Sequence, residues 1–102
     1  MENIYTSIHV KIVRINDKKL LGIEISLPNA PPLLVLRGDK GFIMCGYLDI
    51  GVAEKLGLIA GRVTGVKSIE EVMDKEIVDT TSKAREHGIK PGVRVKDIID
   101  IL

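Results

Sequence analysis

Hydrophobic and polar residues alternate in two successive segments near the beginning of the chain, at residues 6–15 and 19–27. An alternation with a period of two is typical of a β-strand that has one apolar face and one face in water. Asn16-Asp17-Lys18 lies between the segments and has the composition of a turn, so the pattern predicts an antiparallel hairpin. Its apolar faces comprise Ile8, Val10 and Ile12 in the first strand and Leu21, Ile23, Ile25 and Leu27 in the second. The other face of the first strand, which carries His9, is predicted to lie in water.

A second hairpin is predicted after the proline-rich segment Pro28-Asn29-Ala30-Pro31-Pro32. Because proline has no N–H to donate to a neighbouring strand, this segment is expected to be a link between strands. Residues 33–36 are apolar at every position, which is typical of an interior strand covered on both faces. Residues 42–48 form the next strand. The turn between the two strands, Arg37-Gly38-Asp39-Lys40-Gly41, contains two glycines and an aspartate, which favour a hairpin turn with a positive φ angle.

A short helix and a further strand follow the second hairpin. Asp49 is suited to the N-cap of this helix, because its carboxylate accepts hydrogen bonds from the first free amides. Gly57 is suited to the left-handed position beyond the last helical residue. Residues 58–63 are predicted to form a strand. A strand, a helix and a strand in succession imply a right-handed crossover between two parallel strands.

The last third of the chain is predicted to be mostly helical. Ser68-Ile69-Glu70-Glu71 matches a capping box, which marks the start of a helix. Another helix begins at Thr80 or Thr81 and ends at His87, and residues 95–102 have the pattern of a final amphipathic helix. Strands precede helices, so the fold class is α+β. We expect two layers, a mixed sheet of N-terminal antiparallel hairpins and one parallel crossover, covered by short helices.

Length, composition and charge exclude several classes of protein. A chain of 102 residues is expected to form a single domain over residues 1–102, with an aliphatic core because aromatic residues make up only 3%. The net charge is +1 and the two signs are interspersed, so we expect neither a nucleic-acid partner nor a membrane partner. No signal peptide and no apolar stretch of ~20 residues is present, which predicts a cytoplasmic protein. The absence of glutamine favours a thermophilic source.

Four segments carry a distinctive sequence: LLVLRGDKGFIMCGYLD at 33–49, AEKLG at 53–57, VTGVKSIEEV at 63–72 and SKAREHGIKPG at 82–92. In this order they resemble the YunC-like family, small bacterial and archaeal proteins grouped as a domain of unknown function. The resemblance implies a two-layer α+β fold with a mixed sheet, in agreement with the pattern of hydrophobic positions. It implies no activity, and it assigns no catalytic residue to this chain.

The loops that follow the two predicted parallel strands form the candidate ligand site. Carboxyl ends of parallel strands and helix N-termini lie at the same rim of a sheet, and helix N-termini favour anions. The residues expected at this rim are Gly46, Tyr47 and Asp49 after one strand and Thr64, Gly65, Lys67 and Ser68 after the other. Lys67 would pair with a phosphate or carboxylate, beside a backbone that Gly65 keeps accessible. In the alternative interpretation, Asp49 and Ser68 only cap their helices and Gly65 serves a tight turn.

Cys45 is the residue with nucleophilic chemistry of its own, and as the only cysteine it excludes an intrachain disulfide. A reactive thiol needs exposure and a nearby cation or helix N-terminus. The position of Cys45 inside an apolar strand favours a buried, inert thiol instead. His9 and His87 lack the spacing of a metal pair, and with one cysteine they are a poor set of zinc ligands, so no metal site is predicted. The sequence does not identify a cofactor, which stays unknown.

Two functions remain open. The first is a non-enzymatic binding or interaction module, a homodimer, that recognises a small anionic ligand or a partner protein. Its copies would associate through an exposed strand edge or through the C-terminal helix, because a small mixed sheet has edges to cover. The alternative is a small cytoplasmic enzyme that uses Cys45 or the acid/base chemistry of Asp49, with Lys67 or Arg37 holding an anionic substrate.

Overall fold

The strands within residues 7–102, the part of the chain that the computed structural model describes, form one six-stranded sheet whose order follows the sequence. They are β1 (Ile8–Ile15), β2 (Lys18–Leu27), β3 (Ala30–Arg37), β4 (Gly41–Met44), β5 (Ile59–Arg62) and β6 (Asp79–Thr80). The helices are α1 (Ile50–Lys55), α2 (Ile69–Asp74) and α3 (Ser82–Glu86), and two 3₁₀ turns follow at Val95–Asp97 and Ile99–Ile101. None of the described helices is long and apolar enough to cross a membrane. Thr6, the predicted start of the first strand, lies outside the described residues.

The sheet is mixed, and the predicted α+β fold class is confirmed. β4 and β5 pair in parallel, with Gly41 opposite Ile59 and Met44 opposite Arg62. The other neighbouring strands pair in the antiparallel direction. Two adjacent parallel strands need a crossover connection, and α1 provides it between β4 and β5.

The helix ends follow the predicted capping residues. Asp49 is the N-cap of α1, and Gly57 follows that helix with a φ angle of +70°. Thr81 is the N-cap of α3, and its hydroxyl accepts a hydrogen bond from Ala84 N at 3.1 Å. Gly88 then adopts a φ angle of +92°, which a residue with a Cβ rarely adopts. These ends are determined locally, which is why the sequence predicts them.

One face of the sheet carries the main hydrophobic core, and α2, α3 and the 3₁₀ turns pack on it. Its most deeply buried residues include Leu34 and Leu36 of β3, Ile43 of β4 and Ile69 of α2. α2 approaches the sheet so closely that a Cβ atom at Gly22 would lie 2.9 Å from Ile69 Cγ1. On the opposite face α1 covers β4 and β5, where a second cluster contains Met44, Ala53 and Ala60.

The prediction that the apolar side of the first hairpin is the buried side is wrong. Ile8, Val10 and Ile12 are 53%, 62% and 62% exposed. The helices pack on the other side of β1 and β2, where Val13, Ile15 and Leu20 contact the main core. Lys11 lies on that side too, and its ammonium contacts carboxylate oxygens of Glu24 and Glu70, each at 3.1 Å. An alternating pattern shows which side chains share a face, but not which face the helices cover.

The uncovered apolar surface of β1–β3 is here named the open face. It consists of Ile8, Val10 and Ile12 of β1, Leu21, Ile23 and Ile25 of β2, and Val35 of β3. The four residues of β2 and β3 are half-buried, and none of the seven belongs to either buried cluster.

The prediction that the proline-rich segment is a link between strands is wrong, because most of the segment lies within β3. The connection is a tight turn at Pro28 and Asn29, where Asn29 has a φ angle of +53°, and Pro31 and Pro32 belong to the strand. The pairing of β2 with β3 shifts register between Ile25 and Leu27. Proline is tolerated at such an irregularity, because its missing N–H is not required there for the ladder.

The turn Arg37-Gly38-Asp39-Lys40-Gly41 closes the hairpin of β3 and β4, but without the predicted positive φ angle. Gly38 N donates to Gly41 O at 2.8 Å across the turn. The glycine is required for space instead, because a Cβ atom at Gly38 would lie 2.4 Å from the backbone oxygen of Leu102. That oxygen accepts hydrogen bonds from Lys40 N at 2.6 Å and Gly41 N at 3.2 Å.

The predicted C-terminal helix is replaced by the two 3₁₀ turns. The apolar residues of the pattern, Val95, Ile98, Ile99 and Leu102, are all buried, so the prediction of which side chains face the core is confirmed. Gly92 N donates to Ile77 O at 2.7 Å, just before β6, and Leu102 O accepts from the β3–β4 turn, so the segment is held near both of its ends. Between these two attachment points the segment forms two short 3₁₀ turns rather than a regular helix.

Candidate functional site

A pocket of about 280 Å³ opens where β4 and β5 leave the sheet. β4 ends at Met44, earlier than the predicted residue 48, because Leu48 N donates to Cys45 O and closes a turn. β5 ends at Arg62. Since the two strands are parallel, the loops that follow them lie at the same edge. The lining residues are Pro31, Pro32, Cys45, Gly46, Tyr47, Gly65, Val66 and Lys67.

The two loops are in direct contact. A Cβ atom at Gly46 would lie 3.7 Å from Thr64 Cγ2, so Thr64 is beside Gly46 even though it does not line the pocket. The hydroxyl of Tyr47 donates to Pro31 O at 2.8 Å and ties the first loop to β3. This bond holds the aromatic ring beside the two prolines, which form an apolar wall.

Two lysines lie at the side of the pocket formed by Gly65. Lys67 lines the pocket, and Lys75 Nζ lies 3.8 Å from the position that a Cβ atom at residue 65 would occupy. Gly65 has a φ angle of +68°, which favours glycine. Within residues 7–102, neither lysine forms an ion pair with a carboxylate, and no acidic residue lines the pocket. The pocket is therefore apolar with positive charge at one side.

Cys45 lies at the inner end of the pocket and is 3% exposed. Its sulfur accepts a hydrogen bond from Leu34 N at 3.3 Å, and its own N–H donates to Leu34 O at 3.2 Å. The thiol thus contributes to the pairing of β3 with the end of β4. It contacts the pocket, but its surroundings are those of a core residue.

Asp49 and Ser68 serve as helix caps and do not line the pocket. An Asp49 carboxylate oxygen accepts from Gly51 N at 2.8 Å, and the Ser68 hydroxyl accepts from Glu71 N at 3.1 Å. The Glu71 carboxylate accepts from Lys67 N at 2.9 Å. Since α1 and α2 have six residues each and side chains already occupy these amides, the helix ends do not supply the anion site that the sequence pattern suggests.

The two histidines lie on different elements. His9 is exposed on β1, and His87 ends α3, where its Nδ1 is 2.8 Å from Lys83 O. Among residues 7–102 no three His, Cys, Asp or Glu side chains are grouped in a way that would hold a metal ion.

Sequence reasoning missed Pro31, Pro32, Val66 and Lys75 as neighbours of the pocket. The two prolines follow one another in the chain, and such a pair offers a rigid apolar surface. Nothing local identifies Lys75, which reaches the pocket because α2 turns the chain back toward Gly65.

Residues 44–102 match the family described as "Domain of unknown function (DUF1805)". The chain is 31% identical over 91 residues to the uncharacterized protein YunC of Bacillus subtilis, in an alignment that covers 85% of this chain and 89% of that protein. Its structure is similar to the crystal structure of a protein of unknown function, TA1206, from Thermoplasma acidophilum. The TM-score is 0.88, with 35% identity over 93% of this chain and 92% of that one. The sequence match and the shared fold lead to one conclusion: the chain belongs to the YunC-like family defined by the DUF1805 domain.

Proposed function

We propose that this protein is a binding module whose pocket holds a small ligand with an apolar body and one anionic group. The observation that carries the proposal is the composition of the pocket wall. Pro31, Pro32 and Val66 offer an apolar surface, and Lys67 and Lys75 bring positive charge to one side. Apolar walls with a few placed polar groups are the usual form of a small-molecule site.

The size of the pocket limits the ligand. Its volume of about 280 Å³ is near the lower end of the ~300–1,000 Å³ typical of small-molecule sites. A short-chain carboxylate or a small phosphate ester fits this space. A dinucleotide does not.

The positive charge supports an anion for an electrostatic reason. Lys67 and Lys75 are both exposed, and neither is neutralised by a carboxylate within the described residues. Both lysines are near Gly65, Lys67 in the sequence and Lys75 through its Nζ, so an anion bound beside Gly65 would be attracted by both charges.

A thermal-shift screen tests the proposal. Inorganic phosphate, small phosphate esters and aliphatic carboxylates of increasing chain length are added to the wild type and to Lys67→Met. We expect at least one organic anion to raise the melting temperature of the wild type and to have a much smaller effect on Lys67→Met. Lys90→Met, which changes an exposed lysine away from the pocket, is the control and should respond like the wild type. No stabilisation by any of these anions would contradict the proposal.

We also propose that the module is a homodimer. Of the two routes that the sequence suggests, the C-terminal one is poorly supported, because Ile98, Ile99 and Leu102 are buried within the chain. The edge and open face of β1–β3 remain available. Light scattering after size exclusion, with the wild type loaded at increasing concentration, tests the assembly. A monomer at every concentration would contradict it.

The second candidate is a small enzyme with Cys45 as nucleophile, which is favoured by the position of Cys45 in the pocket wall. Its burial and the hydrogen bond from Leu34 N weigh against it. Iodoacetamide labelling of the native protein at neutral pH distinguishes the two functions. We expect the thiol to stay unmodified until the protein is unfolded, and rapid labelling of the native state would favour the enzyme. Asp49 is a weaker candidate, since its carboxylate caps α1 outside the pocket.

A further inference from the structure

The open face is a continuous aliphatic surface on three adjacent strands. The register places Ile8 beside Ile25, and Ile12 beside Leu21. Val10 lies beside Ile23, which in turn lies beside Val35 of β3. No helix within residues 7–102 covers these side chains, and α1 packs on this side of the sheet over β4 and β5. An exposed, contiguous apolar surface of this kind marks an interaction site rather than an ordinary surface.

The distribution of charge around the open face indicates what covers it. All seven of its residues are aliphatic. Three exposed basic residues lie together at one end of this face: Arg14, Lys19 and Arg37. Along their strands they are the next residues on the same face as Ile12, Leu21 and Val35. A two-fold axis that lies in the plane of the interface and runs perpendicular to the strands would place this basic end of one copy over the aliphatic end of the other. The basic ends of two copies would then lie far apart, and aliphatic side chains would meet aliphatic side chains in the middle.

We infer that the open face packs against the open face of a second copy, in a face-to-face dimer of two sheets. An isologous dimer requires a surface that is complementary to itself. An uncharged aliphatic centre with positive charge at one end satisfies that requirement. Two sheets packed in this way keep their strands within about 30° of each other, as in β-sandwiches. The inference rests on the homodimer of the proposed function and specifies its interface.

The area of the open face is sufficient for a weak dimer. From ~3.3 Å per residue along the eight residues of β1 and ~4.8 Å between strands, the open face together with its basic end measures roughly 26 by 14 Å, or on the order of 400 Å² in projection per copy. Two copies would bury roughly 800 Å² in projection and more when the relief of the side chains is included, near the ~1,000 Å² lower bound for biological interfaces. We therefore expect an equilibrium between monomer and dimer that shifts with concentration in about the micromolar range.

Pairing of two β1 edges is the competing arrangement, since β1 is an edge strand of the sheet that residues 7–102 form. It would leave the open face of both copies uncovered and would extend the sheet instead. It would also place the outward-facing amides of β1 in hydrogen bonds with the partner. The two arrangements thus differ in the exchange of those amides.

The first experiment measures dimerisation by sedimentation equilibrium for the wild type, Val10→Lys and Val52→Lys. Val10 lies midway along the β1 row of the open face and is 62% exposed, whereas Val52 lies on α1 and is 53% exposed, so the pair is matched in residue type and exposure. We expect Val10→Lys to raise the dissociation constant about tenfold or more, because it buries a charge beside its symmetry mate. Val52→Lys should leave the constant unchanged.

Val10→Thr provides a second variant that keeps the β-branched shape and strand propensity. It should also weaken the dimer, and melting curves of all variants identify any loss of folding. A wild-type dimer that Val10→Lys and Val10→Thr leave unchanged would overturn the assignment of the interface while leaving the homodimer intact. A wild type that stays monomeric at millimolar concentration would overturn both. In either case the thermal-shift screen is repeated on Val10→Lys. Stabilisation of this variant by an anion tests the pocket independently of the dimer.

Hydrogen exchange at high protein concentration completes the test. In the face-to-face dimer the outward-facing amides of β1 remain unpaired and exchange at the same rate as at low concentration. Protection of these amides that increases with concentration would show edge pairing and overturn the inference.

Discussion

At the scale of single residues, glycines in this chain serve two different purposes. Gly57, Gly65 and Gly88 have positive φ angles, so the backbone itself requires glycine there. Gly38 has no positive φ angle but lies against the backbone of Leu102. Glycine is thus required by the backbone conformation at some positions and by the lack of space for a Cβ atom at another. Only the second requirement depends on distant parts of the chain.

Gly38→Ala should destabilise the protein. The added Cβ would lie 2.4 Å from the Leu102 oxygen, which is backbone and can move only by breaking its bonds to Lys40 N and Gly41 N. Overpacking of this kind costs about 1–3 kcal/mol. Urea unfolding measures the change. Gly46→Ala is the control, because its Cβ would meet Thr64 Cγ2 at an ordinary 3.7 Å, and equal stability of the two variants would contradict this account.

At the scale of elements, the helices are short and depend on side chains at their ends. α2 has six residues, and its first turn is held by Ser68, by Glu71 and by Glu24 of β2, whose carboxylate accepts from Ile69 N at 2.9 Å. Isolated helices of this length are unstable in water. Caps and packing against the sheet therefore determine whether α2 forms.

Ser68→Ala removes the cap of α2 and should lower stability by about 1 kcal/mol. For a domain of this size that corresponds to a fall in melting temperature of roughly 4–8 °C. Differential scanning calorimetry gives the value. Ser26→Ala alters an exposed serine of β2 whose side chain forms no hydrogen bond within the described residues, and it should have little effect. A similar loss in both variants would show that the cap is not the cause.

Glu54 of α1 connects that helix to α3. One carboxylate oxygen accepts from Ser82 N at 2.7 Å and the other from the Ser82 hydroxyl. The Ser82 hydroxyl, the Ser82 amide and the charge of Arg85 lower the pKa of Glu54 below its ordinary value of 4.5. Because the pKa of Glu54 is lower in the folded state than in the unfolded state, its ionised carboxylate stabilises the fold at pH values above the ordinary pKa. This stabilisation is lost as the pH falls through the lowered pKa.

Glu54→Gln should therefore make stability less dependent on pH. We expect the melting temperature of the wild type to fall more between neutral pH and about pH 3 than that of the variant, since the amide does not titrate. Thermal melts monitored by circular dichroism across this range provide the measurement. Glu86→Gln, an exposed position on α3 without a side-chain hydrogen bond among the described residues, should keep the wild-type pH dependence. If Glu54→Gln also keeps the wild-type pH dependence, the contacts between Glu54 and Ser82 do not contribute to the pH dependence of stability.

At the scale of the whole molecule, the sheet divides into two parts. β4 and β5 are covered on both faces, by the main core on one side and α1 on the other. Within the described part of the chain, β1, β2 and β3 are covered on one face only. The pocket lies at the end of the first part and the open face on the second, so the proposed ligand binding and the proposed self-association would use different surfaces of the same sheet.

Native-state hydrogen exchange should reflect this arrangement. The amides of β3 are expected to exchange most slowly, because β3 is paired on both sides and carries the buried Leu34 and Leu36. β6 should exchange fastest among the strands, since it pairs through only two residues at an edge. Exchange followed by NMR gives the rates. A β6 as slow as β3 would indicate that the last third of the chain stabilises the sheet more than its pairing suggests.

The sequence by itself determined the order of the elements from β1 to α2, the α+β class, the parallel crossover and the helix ends at Asp49, Ser68 and Gly88. It also identified Gly46, Gly65 and Lys67, which line the pocket. These features depend on local chemistry or on a general rule of parallel strands, so residues close together in the chain are enough to predict them.

Only the tertiary structure decided which face of the first hairpin is covered, why Gly38 is a glycine and how Pro31 and Lys75 reach the pocket. Alternation in a strand is symmetric between its two faces, and the helices that break this symmetry come from residues 69–86, far along the chain. The close contact at Gly38 involves Leu102, at the other end of the described chain. Such features arise from contacts between distant segments, and no local pattern of hydrophobic and polar residues records them.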